Sequence, residues 1–206
     1  MEDYSNLMFR GQVAEIQKAE GFYDRHKASY QRRTQSALNP DDVAFIQSRQ
    51  SIYIASVSPD GWPYVQHRGG PTGFLKAIGP TRIACLDYVG NRQFLTMGHV
   101  AEDPRVSLFL MDYMRRARMK IQGRANLVRL ADADPDVLKH FPTEGTPAER
   151  LLVVDVVAMD WNCPKYIPSF VPVDVANAAT ESYAAELQAE NDALKAKLAE
   201  LEAGSG

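Results

Sequence analysis

The sequence predicts a mainly β domain, an antiparallel barrel that is closed or partly closed, with peripheral helices and a C-terminal coiled-coil helix. Three observations support this prediction. Short β-rich segments joined by turn sequences fill most of the chain between residues 51 and 159. Hydrophobic residues make up 45% of the 206 residues, enough for the core of one ordinary domain. A heptad pattern of leucines follows near the C-terminus.

The N-terminal segment is the least regular part of the pattern. Phe9, Val13 and Ile16 fall at helical spacing, which predicts a helix over 9–20. The stretch from Tyr23 to Leu38 is polar, and we interpret it as a covering arm or loop. The first part of the chain is therefore expected to lie against the barrel rather than within it.

A second helix is predicted where the barrel region begins. Asn39 is a good capping residue, Pro40 suits the first turn, and Asp41 and Asp42 favour the positive end of the helix dipole. This helix would end at about Arg49.

Seven strand-forming segments follow. Ser58-Pro59-Asp60-Gly61 is a strong turn sequence that makes a hairpin of the first two, and Gly79-Pro80 separates the next two. Short helices are expected at Asn91–His99 and Asp136–His140, and Gly123 indicates a β-bulge. The predicted strands are Ser51–Val57, Trp62–Arg68, Phe74–Ile78, Arg82–Leu86, Val106–Met111, Arg118–Leu130 and Leu151–Met159.

The tail carries a seam of apolar residues at spacings of three and four, as in a two-stranded coiled coil. Asparagine at a single a position, Asn191, favours two parallel strands. The pairs Glu190 with Lys195 and Lys197 with Glu202 would attract each other between parallel chains. The alternative is one amphipathic helix that lies on the barrel. The a and d positions are Ala184, Leu187, Asn191, Leu194, Leu198 and Leu201.

The chain is thus divided into residues 1–38 (helix and covering arm), 39–170 (barrel) and 171–206 (linker and coiled-coil helix). Its net charge of -3 gives no support for a nucleic-acid or anionic-membrane binder. Its two cysteines have no metal-ligand spacing, and no run of eighteen apolar residues occurs. Because no signal peptide is evident either, we expect a cytoplasmic protein without metal, nucleic-acid or membrane partner.

Two segments suit a bound ligand. Gln66, His67 and Arg68 lie on a strand that runs into glycines, where a ligand can approach the backbone closely. A strand also ends in the Gly90-Asn91 turn at a helix start, where free N–H groups and Arg92 would suit a phosphate. The alternatives are a structural role for His67 and glycines that only shape a barrel corner.

A third segment, Arg115–Lys120, begins a strand with alternating cations, and Arg118 and Lys120 share one face of it. A solvated basic hairpin is the alternative. The three segments together favour a ligand site but do not name the ligand.

From about Phe45 to Arg129 the chain resembles the pyridoxamine-phosphate-oxidase-related family of FMN-binding split barrels, in its predicted flavin-nucleotide-binding branch. This resemblance implies an antiparallel split barrel, FMN as cofactor, and a homodimer whose cofactor sites are built from both subunits. The segments that carry the resemblance are residues 58–63, 67–74, 87–93, 103–106, 119–125 and 160–165.

The resemblance also implies which residues hold the flavin. Arg92 matches the family's phosphate-binding arginine, Gln93 stands where the oxidase has a lysine, and Arg118 stands where it has a glutamine. The oxidase's C-terminal Arg-x-His segment has no counterpart, and Pro71 replaces a lysine, so pyridoxamine-phosphate oxidation is not expected. The candidate cofactor-binding residues are Gln66, His67, Arg68, Gly69, Leu86, Asp87, Asn91, Arg92, Gln93, Arg118, Lys120 and Trp161.

The expected function is that of an FMN-dependent oxidoreductase that moves a hydride or electrons between NAD(P)H, or another small donor, and a small acceptor. No catalytic residue is singled out; His67, Arg68 or Lys120 could stabilise the reduced flavin. The alternatives are a non-catalytic protein that binds or stores flavin, haem or deazaflavin, and a docking module centred on the coiled coil. Trp161 could contact the flavin or belong to the core, and Cys163 could be a redox thiol or inert.

Overall fold

A computed structural model describes residues 1–142, 147–161 and 165–203. The chain divides into two compact units, which are described separately below. The first consists of Met1–Asp112 and Arg116–Tyr166, and the second of Tyr113–Arg115 and Ile167–Gly206.

The N-terminal segment is more helical than the sequence indicated. It forms α1 (Tyr4–Met8), α2 (Gln12–Ala19) and α3 (Tyr23–Arg33). The expected arm or loop after residue 23 is therefore wrong over most of its length. The α3 helix packs through aromatic rather than aliphatic residues: the rings of Tyr30 and Phe9 meet edge to face with centroids 5.2 Å apart. The usual sequence signal of a packed helix is a stripe of aliphatic residues, and an aromatic face does not give that signal.

The α4 helix (Pro40–Gln47) confirms the predicted helix start. The Asn39 side chain accepts a hydrogen bond from the Asp42 backbone N–H at 2.9 Å, and Asp42 Oδ2 accepts one from the Asn39 N–H at 2.9 Å. This reciprocal capping box satisfies two N–H groups that the helix itself leaves without partners.

We expect Asn39→Ala to lower the free energy of unfolding by about 1 kcal/mol, because it removes the side-chain half of the capping box. Chemical denaturation followed by circular dichroism would measure the loss. Asn126→Ala, at an exposed position of a strand, is the matched control and should change stability by less than about 0.5 kcal/mol. Equal stabilities of the two variants would contradict the assigned role of Asn39.

Seven strands form one antiparallel sheet, which confirms the predicted split barrel. Along the sheet the order is β2-β1-β5-β6-β7-β4-β3, so β2 and β4 are far apart in strand order. The strands are β1 (Ser51–Val57), β2 (Pro63–Gly69), β3 (Leu75–Gly79), β4 (Arg82–Tyr88), β5 (Arg105–Asp112), β6 (Ala117–Arg129) and β7 (Ala148–Trp161).

The predicted bulge at Gly123 is confirmed. The register between β6 and β7 shifts between Gln122 and Gly123, where Gln122 pairs with Ala158 and Gly123 pairs with Val156. The bulge bends the longest two strands and so helps to curve the sheet.

The α5 helix (Leu95–Glu102) begins four residues later than the sequence indicated. Arg92 and Phe94 adopt left-handed backbone angles, with φ of 60° and 54°, and these angles are incompatible with the expected right-handed helix over Asn91–Phe94. The acidic helix expected near residue 136 is present as α6 (Pro135–Leu138).

The interior of the barrel is aliphatic. Alternate residues of β1 and β5, such as Ile52, Ile54, Leu108 and Leu110, are fully buried, while their neighbours face outward. The middle of β4 is buried on both faces, because a second apolar cluster with Leu86, Phe141 and Leu151 covers its other side. This rigid frame holds the polar ends of β2, β4 and β7.

The second unit contains one long helix, α7 (Val173–Ala203). The predicted C-terminal helix is thus confirmed. All of its residues are exposed in the single chain, including Leu187 and Leu194 on the heptad seam. The coiled coil itself stays a prediction.

Candidate functional site

A cavity of about 220 Å³ in the barrel unit collects much of the predicted site. We call it the arginine cavity. Its walls come from β2, the end of β4, the loop before α5, the first turn of α5 and the start of β7. It is lined by Tyr64, Gln66, Arg68, Asp87, Tyr88, Gly90, Asn91, Arg92, Gln93, Phe94, Leu95, Thr96, Met97, Leu127, Glu149 and Arg150.

The alternation of β2 decides which of its residues reach the cavity. Gln66 and Arg68 point to the partly buried face and line it, whereas His67 lies between them on the exposed face. The His67 ring instead meets the Tyr53 ring at a centroid distance of 5.7 Å. Among the three β2 candidates, Gln66 and Arg68 are therefore the ones that this chain places in the cavity.

Arg68 is the most deeply set cation of the cavity, with a side chain that is 12% exposed. It forms an ion pair with Asp87 of β4, and its Nη2 donates a hydrogen bond to Gln66 Oε1 at 3.3 Å. Burial lowers the pKa of the Arg68 guanidinium. Its Nε is buried and has no hydrogen-bond partner among the described residues. A buried N–H of this kind favours an acceptor supplied by a ligand.

Gln66 joins β2 to α5. Its Oε1 also accepts a hydrogen bond at 2.6 Å from the hydroxyl of Thr96, a residue of the first turn of α5. Thr96 is almost fully buried, so this bond fixes the start of the helix against the strand.

The start of α5 is built like an anion site. Phe94 occupies the N-cap position and makes no side-chain cap, so the first N–H groups of the helix lack the usual acceptor. Leu95, Thr96 and Met97, which carry those groups, line the cavity. Free N–H groups and the positive end of the helix dipole favour a phosphate or carboxylate. The left-handed angles of Arg92 and Phe94 mark the preceding loop as strained, which is common at ligand sites.

Two residues of β7 complete the charge distribution. Glu149 accepts hydrogen bonds from Arg92 Nη2 at 3.0 Å and from Arg150 Nη1 at 3.0 Å. The cavity then holds three arginines (68, 92 and 150) and two carboxylates (87 and 149), a net charge of +1. A cavity with excess positive charge and polar walls suits a phosphorylated ligand.

Three further residues of the cavity were not predicted from the sequence: Thr96, Glu149 and Arg150. Glu149 and Arg150 precede the apolar run that predicted the last strand, so the predicted strand began only at Leu151. In the structure β7 begins at Ala148, and Arg150 pairs with Asp87 across the sheet. That pairing joins segments far apart in sequence, and Thr96 carries no capping signal because it lies inside the first turn of α5.

The remaining predicted residues lie outside the arginine cavity. Leu86 is buried in the second apolar cluster, and Gly69 pairs with Ser51 at the end of β2. Arg118, opposite Met111, has a buried Nε without a hydrogen-bond partner in the described part of the chain. Cys163 lies outside the described residues.

Trp161 lines a second polar region, the N-terminal cavity, of about 240 Å³, and Lys120 contacts Asp160, another residue of its wall. Lys120 forms an ion pair with the buried Asp160 at 3.1 Å. Trp161 donates from Nε1 to Asp42 Oδ1 at 2.8 Å and packs edge-on against Phe45, with a centroid distance of 4.6 Å. Within one chain, Trp161 therefore ties the end of β7 to α4. The N-terminal cavity is lined by Met1, Glu2, Tyr4, Tyr30, Arg33, Thr34, Gln35, Asn39, Asp42, Met159, Asp160 and Trp161.

Tyr30 anchors the N-terminal helices to the barrel through its hydroxyl, which donates to Asp160 Oδ2 at 3.0 Å. Burial, and then the charge of Asp160, raise its pKa to about 12. The contribution of the Tyr30 hydrogen bond to folding stability is therefore complete below the pKa of tyrosine in the unfolded chain, near 10. It is lost as the pH rises towards 12. We expect the difference in unfolding temperature between wild type and Tyr30→Phe to be constant up to about pH 10 and to shrink between pH 10 and 12.

Thermal unfolding at a series of pH values would measure this difference. Tyr183→Phe, in the exposed C-terminal helix, is the matched control and should show no such change. A Tyr30→Phe difference that stays constant to pH 12 would exclude the assigned hydrogen bond as the cause.

The arginine cavity fits FMN on the evidence of its own residues. The orphaned Arg68 Nε, the uncapped first turn of α5 and the excess positive charge all call for an anionic, oxygen-rich ligand. No group of three His, Cys, Asp or Glu side chains that could hold a metal ion occurs among residues 1–142, 147–161 and 165–203. Within the same ranges, no helix is long and apolar enough to cross a membrane.

Comparison with known proteins gave one family match. The family model described as pyridoxamine 5'-phosphate oxidase matches residues 38–159. A search of curated proteins found no match.

Solved structures similar to this chain were also found. A putative pyridoxamine 5'-phosphate oxidase from Lactobacillus delbrueckii is 16% identical, with 62% of this chain and 96% of that chain covered and a TM-score of 0.48. HupZ from Group A Streptococcus is 9% identical, with 65% and 99% covered and a TM-score of 0.46. A pyridoxamine 5'-phosphate oxidase-related, FMN binding protein from Nostoc punctiforme is 14% identical, with 54% and 73% covered and a TM-score of 0.40.

Proposed function

Because the chain belongs to the pyridoxamine 5'-phosphate oxidase family, we propose that it binds FMN in the arginine cavity and acts as a flavin-dependent oxidoreductase. The observation that carries the proposal is the convergence of Arg68, Arg92 and Arg150 on the uncapped start of α5. These groups are suited to a phosphate, and the neighbouring polar walls are suited to a hydroxylated chain.

Each part of the cavity has a role in this proposal. Arg92, Arg150 and the first turn of α5 would hold the phosphate, while Gln66 and Arg68 would donate to the rest of the ligand. Bound FMN would supply the hydride or electron transfer. Arg68, held in place by Asp87, would favour negative charge on a reduced ligand, because its guanidinium is largely withdrawn from water.

We also propose that the protein works as a homodimer. The outer face of β1 and β2 exposes Tyr53, Val57 and Val65, with Trp62 beside them at the hairpin, and a second copy would remove this apolar surface from water. The family resemblance implies cofactor sites shared between subunits. Arg118, Lys120 and Trp161, which lie outside the arginine cavity of their own chain, are then candidates to act from the second subunit. The parallel coiled coil would reinforce this dimer.

The first experiment is the visible absorption spectrum of the purified protein, followed by titration with FMN. We expect visible flavin absorption, or, for colourless protein, saturable quenching of FMN fluorescence by about one FMN per chain. Steady NAD(P)H consumption in the presence of an electron acceptor would support the oxidoreductase. Flavin binding without any turnover would favour a binding or storage protein. A Soret band in the spectrum would indicate haem. Colourless protein that takes up no FMN would refute the proposal.

The dimer is tested separately by light scattering of the full chain and of a chain that ends at residue 172. We expect both to be dimers, since the coil only reinforces the barrel contact. A monomeric short chain would assign dimerisation to the coil, and a monomeric full chain would refute the dimer.

A further inference from the structure

Glu149 lies between the two outer arginines of the cavity. Its Oε1 accepts from Arg92 at 3.0 Å, and its Oε2 accepts from Arg150 at 3.0 Å, so each carboxylate oxygen faces a different guanidinium. The arginines come from separate elements, the loop before α5 and strand β7. Glu149 therefore connects that loop to the sheet.

The surroundings hold Arg150 more firmly than Arg92. The Arg150 side chain is 17% exposed, and its guanidinium lies over the Phe94 ring at 5.2 Å. The Arg92 side chain is 61% exposed and forms an ion pair with Glu149 at the surface. A ligand can therefore move the Arg92 side chain away from Glu149 at little cost, because most of that side chain is already in solvent.

We propose that Glu149 sets the affinity of the cavity for phosphate by occupying guanidinium N–H groups that a ligand phosphate needs. The inference rests on the proposed function, because it takes the phosphate of FMN as the natural competitor. Carboxylate and phosphate oxygens bind guanidinium in the same geometry, so the two anions exclude each other from one set of N–H groups. Phosphate and Glu149 then compete for the Arg92 Nη2 and Arg150 Nη1 donors that Glu149 already uses.

The charges of the cavity agree with this role. With Glu149 ionised, the net charge of +1 only partly balances a phosphate monoester, which carries close to two negative charges at neutral pH. Without that carboxylate the cavity would carry +2 and would balance it. Glu149 therefore lowers the affinity for phosphate both by direct competition and by its charge.

The test compares wild type with Glu149→Gln in a titration of the FMN-free protein, followed by flavin fluorescence. We expect FMN to bind the variant about fivefold more tightly, the effect of removing one partly exposed ion-pair competitor. Riboflavin, which lacks the phosphate, should change by less than about twofold. Glu15→Gln, in an exposed ion pair with Lys18 on α2, is the matched control and should leave both affinities unchanged.

A second measurement does not depend on flavin. Inorganic phosphate at millimolar concentration should raise the unfolding temperature of Glu149→Gln more than that of wild type or Glu15→Gln. If wild type binds no FMN, the proposed function fails, and the phosphate shift alone decides the role of Glu149. If wild type binds FMN but the variant binds it equally or more weakly, Glu149 positions the arginines instead, and the inference is overturned.

Discussion

Replacing Arg92 with alanine is expected to weaken FMN binding by about 10- to 100-fold. The change removes a charged donor from the phosphate end of the cavity, and hydrogen bonds to charged groups contribute about 1.5–3 kcal/mol. Because Arg92 is exposed and its ion pair with Glu149 lies at the surface, the fold should keep its stability. Fluorescence titration of FMN-free protein would measure the loss of affinity.

Arg82→Ala is the matched control for this variant. Arg82 also forms an exposed ion pair, with Asp155 at 2.6 Å, but does not line the arginine cavity. We expect its FMN affinity to stay within about twofold of wild type. If both variants bind FMN as wild type does, the phosphate is held elsewhere. Riboflavin binding should be nearly equal in wild type and Arg92→Ala, which would assign the effect to the phosphate.

The second large effect is expected at the bulge between β6 and β7. A Cβ at Gly123 would lie 2.5 Å from Val154 Cγ1 and 2.8 Å from the backbone oxygen of Asp155. The strand pairing prevents that backbone from moving, so Gly123→Ala should lower the free energy of unfolding by about 2–3 kcal/mol. Thermal unfolding of the full chain should show a midpoint about 5–10 °C lower.

Gly98→Ala is the informative control, because it makes the same chemical change where there is room. A Cβ at Gly98 meets no atom within 4 Å, and the residue lies in the middle of α5. Alanine is the better helix former, so this variant should be stabilised by about 0.5–1 kcal/mol. If Gly123→Ala lowers the free energy of unfolding no more than a typical surface substitution does, the bulge can relax around the added methyl group.

Local patterns predicted most of the fold. The hairpin turn at Ser58–Gly61 and the capping box at Asn39 are short-range signals, and the strands and helix that they delimit are found in the structure within a few residues. The pattern failed at α3, where the packing face is aromatic, and at the start of α5, where left-handed residues delay the helix. Both exceptions depend on contacts or backbone angles that residue type alone does not determine.

The candidate site was predictable only in part, for a related reason. Arg68 and Arg92 stand out in sequence because each adjoins a glycine-containing turn, and the structure brings both into one cavity. Glu149 and Arg150 carry no local signal. They reach the cavity because β7 pairs with β4, a long-range register that sequence pattern does not specify.

The order of the strands has a consequence for how the molecule responds to its ligand. One wall of the cavity comes from β2, at the end of the sheet, and the opposite wall from β4 and β7, at the far side of the order. Strands β1, β5 and β6 separate the two walls in this order, so a ligand that contacts both walls depends on closure of the whole barrel. Ligand at 100 times its dissociation constant would add about 2.7 kcal/mol to stability. Bound ligand should therefore slow amide hydrogen exchange to the same extent in β1 and in β6. Neither of these central strands contains the arginines that face the phosphate.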